Sequence, residues 1–320
     1  QEVIALSSAS LASGDTATNT FYLKALSEAQ LGQAPEAIGT LQQGLALHPG
    51  EKRLSRMLAG QYYDAGAYFK ARSAYQELVQ QDSTDISSLL KLAEIASFSQ
   101  QYDETIDALS QVLAQDSMNL SSLMMMGDIL NRLNNSGAVV YYERAYRLYP
   151  DNQKAAFALG NEYIQIKKAW LTIPICEHIL QIDSTSIKFS KLLGYAYYKT
   201  GQPEEAVQWF DYAVALGDST VFTLKFKGIS HYLKTDFGKA IGALEDAVVK
   251  DTLDAEVHFF LGASLSTIAE MDTAMYHLNQ SLQLMQPDPS VVSRIYSEQG
   301  KIKRLEREYE EAYSFYEKAW

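Results

Sequence analysis

The chain has 320 residues, of which 47% are hydrophobic and 21% are charged, and its formal net charge is −12. This composition excludes an intrinsically disordered chain, and the acidity disfavours proteins that bind nucleic acids or anionic membranes through a basic face. The single cysteine, Cys176, excludes an intrachain disulfide and a thiolate metal cluster.

The N-terminal segment is the first predicted element. Glu2–Ala12 fits the second-helix half of a 34-residue pattern that recurs later in the chain. We therefore expect residues 1–17 to be an incomplete repeat, consisting of its second helix, that caps the array. The sequence begins with Gln1 rather than Met, which favours an exported protein, periplasmic or extracytoplasmic, over a cytoplasmic one. No apolar run approaches the roughly 20 residues of a membrane helix, so direct membrane insertion is not expected.

A 34-residue pattern then recurs eight times over residues 18–288, with one step of 33. A small residue marks the first helix of each repeat at Ala25, Ala59, Ala93, Gly127, Gly160, Gly194, Gly228 and Gly262. A second small or short residue follows in the second helix at Ala37, Ala71, Thr105, Ala138, Thr172, Ala206, Ala240 and Ala274. Each repeat therefore predicts two helices whose backbones approach closely, and neighbouring pairs must stack to bury their faces.

The repeat at residues 187–220 shows the pattern most clearly. Gly201 suits a left-handed helix end, and Pro203 suits the first turn of the next helix, where its missing N–H costs nothing. A large residue, Phe210, follows four residues after the small Ala206 of the second helix. The sequence predicts a helical hairpin in which Phe210 fills the hollow beside a small residue.

Two places depart from the period. Pro174 falls where the second helix of the fifth repeat should begin, which predicts a late start or a bend. The run Gln286–Pro289 is a strong helix stop, after which Val291–Leu305 predicts a longer first helix. We therefore expect residues 289–320 to form a ninth, atypical repeat that ends within its second helix.

The pattern resembles the tetratricopeptide repeat family, whose signature is W-x2-L-G-x2-Y followed by Ala, Phe and Pro. The signature Trp is absent from every complete repeat, and the closing Pro survives at Pro49 and Pro150, with Pro287 one place late. The resemblance covers nearly the whole chain. It implies an all-α fold, a right-handed superhelical α-solenoid of about nine tetratricopeptide-type helical hairpins.

Candidate catalytic and metal-binding residues are sparse. The five histidines are interpreted as scattered over different repeats, with no His-x3-His pair, and His231 and His258 replace signature aromatics and so predict packing roles. Cys176 occupies a large core position with no base beside it in the pattern. We expect no enzyme activity, no metal and no cofactor.

The resemblance further implies that first helices line a concave groove. The groove-facing positions carry lysines and aromatics, which suit peptide recognition. We expect the partner-binding residues to be Lys154, Phe157, Asn161, Lys188, Lys191, Tyr195, Tyr198, Phe222, Lys225, Tyr232 and Phe259. The alternative interpretation is that these tyrosine-rich walls pack against one another.

The predicted function is a non-catalytic scaffold that binds an acidic and apolar segment of a protein partner, with no nucleic acid involved. Arg53, Arg56 and Tyr63 form a smaller second candidate site. A receptor for chaperone tails is disfavoured, because Phe157 and Leu192 occupy places that the family's carboxylate clamp gives to Lys and Asn.

Three alternatives stay open from the sequence. The repeats could be the sensory or docking region of a larger regulator or enzyme, or a solenoid that binds a carbohydrate or small molecule, in which case a closed apolar pocket would be expected. Self-association is a further expectation, because the predicted last helix carries Tyr313, Phe315, Tyr316 and Trp320.

Overall fold

The computed structural model describes residues 1–14, 16–284 and 289–320. All regular secondary structure in these residues is helical. The chain divides into two compact units, Gln1–Leu148 and Tyr149–Trp320. The all-α, tetratricopeptide-type hairpin architecture expected from the sequence is confirmed, while the division into residues 1–17, 18–288 and 289–320 stays a prediction.

The first unit contains a single helix followed by four antiparallel hairpins. Its helices are α1 Glu2–Ala12, α2 Thr18–Gln30, α3 Ala34–Leu47, α4 Lys52–Asp64, α5 Tyr68–Gln81, α6 Ile86–Phe98, α7 Tyr102–Gln115, α8 Leu120–Arg132 and α9 Ala138–Leu148. The buried side chains form successive clusters, each made by one hairpin and the first helix of the next, as between Leu41 of α3 and Leu54 of α4.

The second unit contains five hairpins. Its helices are α10 Gln153–Gln165, α11 Thr172–Ile182, α12 Ile187–Lys199, α13 Pro203–Ala215, α14 Val221–Leu233, α15 Phe237–Lys250, α16 Ala255–Thr267, α17 Met271–Leu284, α18 Pro289–Leu305 and α19 Tyr309–Ala319. One continuous core runs from Ala206 and Phe210 in α13 to Ile302 in α18. A core of this kind grows by stacking hairpins, which is the packing that the repeat period predicts.

The small residue of each first helix allows the close packing that the sequence predicts. A Cβ atom placed on Gly194 would lie 3.1 Å from the Phe210 ring, and one on Gly228 would lie 2.6 Å from the Leu244 side chain. In the ninth hairpin, a Cβ on Gly300 would meet the Tyr316 ring at 2.7 Å. The large residue of the second helix thus occupies the space that the missing side chain leaves.

The turn inside the sixth hairpin also forms as predicted. Gly201 has a φ of 75°, in the left-handed region where glycine carries no Cβ penalty. Pro203 begins α13, and Glu204 and Glu205 follow in its first turn, where the helix dipole favours negative charge.

Both predicted irregularities are present. In the fifth hairpin, a 3₁₀ turn over Ala169–Leu171 precedes α11, which begins late at Thr172 and so holds Pro174 in its first turn, where no hydrogen bond is lost. Helix α18 has 17 residues against 13 for α16, as expected for a longer first helix. The predicted stop at Gln286, Pro287 and Asp288 lies outside the described residues.

The interpretation of the histidines as scattered is wrong for one pair. His258 of α16 and His277 of α17 belong to the same hairpin, and their Nδ1 atoms lie 2.8 Å apart. A spacing of 19 residues hid this contact, because it spans two helices. His231 and His258 are both buried, as predicted, and Cys176 is fully buried, which raises the pKa of its thiol.

Candidate partner-binding groove

An open pocket lies on the first helices of the second unit, between α10, α12 and the start of α14. Its volume is about 510 Å³. The residues lining this groove pocket are Phe157, Asn161, Ile187, Lys188, Lys191, Leu192, Tyr195 and Phe222. Six of these eight were predicted as partner-binding residues from the sequence.

Helical spacing brings these side chains together. Phe157 and Asn161 are four residues apart on α10, and Lys191 and Tyr195 are four residues apart on α12, so each pair projects from one face of its helix. Asn161 donates a hydrogen bond from Nδ2 to the carbonyl oxygen of Phe157, at 2.9 Å, which fixes its amide.

Sequence reasoning missed Ile187 and Leu192 as lining residues. Ile187 is the first residue of α12, and Leu192 is 5% exposed. The repeat pattern assigns Leu192 to the core, and it does pack there, yet its edge also reaches the floor of the pocket. The periodicity of a helix cannot distinguish these two roles.

An aromatic cluster forms the wall of the pocket towards α14. The Tyr195 ring lies 5.2 Å from Phe222 and 4.7 Å from Phe226, and the Tyr198 ring lies 5.1 Å from Phe226. Burial and the nearby Glu256 raise the pKa of Tyr198. Aromatic packing within the wall, the alternative interpretation of the sequence, is therefore present, while Phe222 stays 38% exposed at the pocket.

Two of the predicted wall lysines pair with carboxylates at the start of the next hairpin or in the connection that leads to it. Lys191 Nζ lies 3.1 Å from Asp218 Oδ2, and Lys225 Nζ lies 2.8 Å from both Asp254 Oδ2 and Glu256 Oε2. Burial lowers the pKa of Lys225, but the bonds from Asp254 and Glu256 outweigh this and raise it. The charges of both lysines are thus neutralised by carboxylates of the same chain.

The remaining pair, Lys154 and Lys188, is different. Lys188 Nζ lies 3.5 Å from the centroid of the Phe157 ring, within the range of a cation–π interaction. Partial burial lowers the pKa of Lys188, and the charge of Lys154 lowers it further. Among the described residues, no carboxylate lies within ion-pair distance of either lysine.

Tyr232 and Phe259 lie away from the groove pocket. The Tyr232 ring packs 5.2 Å from Phe260, and its burial raises its pKa. Phe259 is only 3% exposed, and the Arg294 guanidinium of α18 lies 4.7 Å from its ring centroid. The structure therefore places Phe259 under the ninth hairpin, where a partner could not reach it without displacing Arg294.

The smaller candidate site in the first unit is also occupied by internal contacts. Arg53 lies 3.6 Å over the Tyr22 ring, and Arg56 donates to Asp85 Oδ2 at 2.8 Å. Tyr63 packs edge-on against Tyr68, with ring centroids 5.6 Å apart. The two arginines join neighbouring hairpins, and the Tyr63–Tyr68 contact lies within one hairpin.

Within the described part of the chain, no three His, Cys, Asp or Glu side chains converge as a metal site would require. No described helix combines the length and apolarity needed to cross a membrane.

Comparison with known proteins agrees with the repeat pattern. The tetratricopeptide repeat family matches residues 22–86, which span α2 to α5, and again residues 192–216, which span much of α12 and α13. The chain thus contains tetratricopeptide repeats in these two segments. Proteins of this family are in general non-catalytic scaffolds for protein interaction. No curated protein matches the chain.

Solved structures show the same fold at low sequence identity. A tetratricopeptide repeat protein from Parabacteroides merdae has a TM-score of 0.55 at 14% identity, covering 79% of this chain and 98% of its own. YrrB, described as a TPR protein with an unusual peptide-binding site, has a TM-score of 0.53 at 15% identity, covering 58% and 97%.

Proposed function

We propose that this scaffold binds an extended or helical segment of a partner protein in the groove pocket of its second unit. The observation that carries the proposal is the combination of an open pocket of about 510 Å³ with an aromatic wall from which Phe222 stays 38% exposed. Pockets of this size hold a few side chains of a ligand, and rigid aromatic side chains supply contact area at little conformational cost.

The form of the pocket favours a peptide over a sugar or another small molecule. A small-molecule site usually encloses most of its ligand. The groove pocket is instead open to solvent and runs from Phe157 on α10 to Phe222 on α14. YrrB, which shares the fold, is described as having a peptide-binding site, and this supports the same kind of ligand here.

The proposal can be tested by selecting peptides from a random library displayed on phage with the full chain as bait. The selected peptides are then measured against Phe222→Ser and against Phe69→Ser, a matched variant of an 87% exposed phenylalanine in the first unit. We expect Phe222→Ser to weaken binding about tenfold, as for loss of an interface anchor, and Phe69→Ser to leave it unchanged. Equal affinities for both variants would contradict the proposal.

A second candidate function is self-association through α19. Tyr309 and Tyr313 are 64% and 67% exposed, and Trp320 is fully exposed. Exposed aromatic side chains in one helix are a common feature of interfaces. We expect light scattering to show dimers that form with rising concentration and that are lost in Tyr313→Lys. A monomer at every concentration would contradict this candidate.

A further inference from the structure

The lysines around the groove pocket fall into two groups, according to whether a carboxylate of the chain neutralises them. Lys191 and Lys225 belong to the first group, with Asp218 and Asp254 at 3.1 Å and 2.8 Å. Lys154 and Lys188 belong to the second, since the described residues place no carboxylate within ion-pair distance of them. The chain as a whole has a net charge of −12, yet its described residues place no carboxylate at this pair.

The second group is also electrostatically unfavourable in the free chain. Lys188 loses part of its hydration against the Phe157 ring, and Lys154 places a like charge beside it. The face of a phenyl ring compensates a cation only in part. A bound carboxylate would replace the hydration that Lys188 has lost and would offset the repulsion between the two lysines. This position therefore favours the binding of an anion.

The apolar part of the pocket begins next to this pair. Lys188 lines the pocket together with Phe157 and Tyr195, and Phe222 lies on the far side. A ligand whose carboxylate meets the lysines therefore places its neighbouring atoms over aromatic rings.

We propose that Lys154 and Lys188 bind the carboxylate of an Asp or Glu side chain in the partner segment, whose adjacent apolar side chain enters the groove pocket. This inference rests on the proposed function and adds the chemistry of the ligand and its direction across α10, α12 and α14. Lys191 and Lys225 do not bind the carboxylate of the ligand.

The surroundings favour one acidic residue over a polyanion. Lys225 faces two carboxylates, Asp254 and Glu256, which together outweigh its own charge, while Lys199 and Arg294 act on the Tyr198 ring of the same wall. Glu256 is also close enough to Tyr198 to raise the pKa of that tyrosine. A further negative charge of the ligand placed next to Asp254 and Glu256 would be repelled by them, whereas an apolar side chain there would not.

The test uses immobilised peptide mixtures, N-acetylated and C-amidated, with a fixed central pair and uncharged random flanks. The four mixtures carry Glu-Phe, Gln-Phe, Glu-Ser or Gln-Ser at the centre. The full chain is compared with a Lys154→Gln/Lys188→Gln variant and with a Lys239→Gln/Lys250→Gln variant, which changes the net charge equally on the outer helix α15.

We expect the wild-type chain to retain the Glu-Phe mixture about fivefold better than the Gln-Phe mixture, the upper range for a partly exposed charge pair. The preference should vanish in the Lys154/Lys188 variant, persist in the Lys239/Lys250 variant and decrease as salt rises from about 50 mM to about 500 mM. The wild-type chain could instead retain both Phe mixtures equally, better than both Ser mixtures, and lose this retention in Phe222→Ser. That result would overturn the proposed recognition of a carboxylate while leaving the groove pocket as the binding site. Retention that Phe222→Ser does not change, or no retention of any mixture, would overturn both proposals.

Discussion

Lys225 on α14 donates to both carboxylate oxygens of Asp254, at 2.8 and 3.1 Å, and Asp254 in turn accepts the backbone N–H groups of Glu256 and Val257 at the start of α16. One carboxylate therefore caps a helix and binds the preceding hairpin. Arg56 and Asp85 repeat this relationship in the first unit, where Asp85 caps α6.

We expect Lys225→Met to destabilise the second unit by about 2 kcal/mol, because it leaves Asp254 half-buried beside Glu256 without its cation. Urea unfolding followed by circular dichroism measures this change. The control is Lys239→Met, because the Lys239 side chain is 71% exposed and the loss of its charge should cost less than about 0.5 kcal/mol. Equal midpoints for the two variants would contradict a structural role for Lys225.

Two glycines should respond to alanine in opposite directions. In Gly262→Ala the new Cβ would lie 2.9 Å from the backbone carbonyl oxygen of Ala274, which cannot move without displacing α17, so we expect a loss of about 1–3 kcal/mol. Gly242 of α15 has open space around its Cβ position. Gly242→Ala should therefore stabilise the folded chain by about 0.5–1 kcal/mol, because alanine has a higher helix propensity than glycine. Thermal unfolding of both variants checks the contrast, and destabilisation by Gly242→Ala would contradict it.

The His258–His277 contact predicts a pH-dependent stability. Burial and then the charge of His258 lower the pKa of His277 from 6.5 to about 4. Between these values the unfolded chain binds a proton that the folded chain does not, so stability falls as the pH drops through this window. The ring is only half-buried, and we expect less than about 3 kcal/mol in total.

Urea unfolding at pH 7, 5 and 4 measures this effect. In His277→Gln the part of the stability loss below pH 6.5 that His277 causes should disappear. The His48→Gln variant, changed in the first unit, should lose stability as the wild-type chain does. The prediction fails if the His277→Gln variant and the wild-type chain lose stability in parallel.

Lys188 and Lys225 should differ in chemical reactivity. Partial burial and Lys154 lower the pKa of Lys188, whereas its carboxylates raise the pKa of Lys225. Because the unprotonated amine is the nucleophile, limited acetylation by an N-hydroxysuccinimide ester at pH 8 should modify Lys188 well before Lys225, as read by peptide mass spectrometry. Lys154→Gln should slow the reaction at Lys188, and an unchanged rate would contradict the predicted coupling of the two lysines.

The sequence predicted the hairpins because their packing depends on residue size at fixed spacing. Gly194 and Phe210 are 16 residues apart in one repeat, and the same offset joins Gly228 to Leu244 and Gly300 to Tyr316. Any fold built from this period must bring each pair together. The late start of α11 followed in the same way from one covalent fact, the missing N–H of Pro174.

The electrostatic part of the site was less predictable. The period places Lys191 and Lys225 on the inner wall. It does not predict that Asp218 and Asp254 lie beside them, because these carboxylates stand in the connections between helices and not at repeat signature positions. Phe259 was assigned to the groove by the same period, and it is covered by Arg294 because the helix containing Arg294 follows the break in register after Met285. Whether the eleven predicted residues bind a partner stays a prediction.

The contacts of Lys225 with Asp254, of Lys191 with Asp218 and of Arg56 with Asp85 all run in the same direction along the chain. In these three places a cation of a first helix meets a carboxylate at the entry to the next hairpin, whereas Lys227 of α14 pairs with Asp211 of α13 in the opposite direction, at 2.7 Å. Neighbouring hairpins are thus matched by charge as well as by packing, so a hairpin moved to another position should be accepted only where its new neighbours supply the opposite charges.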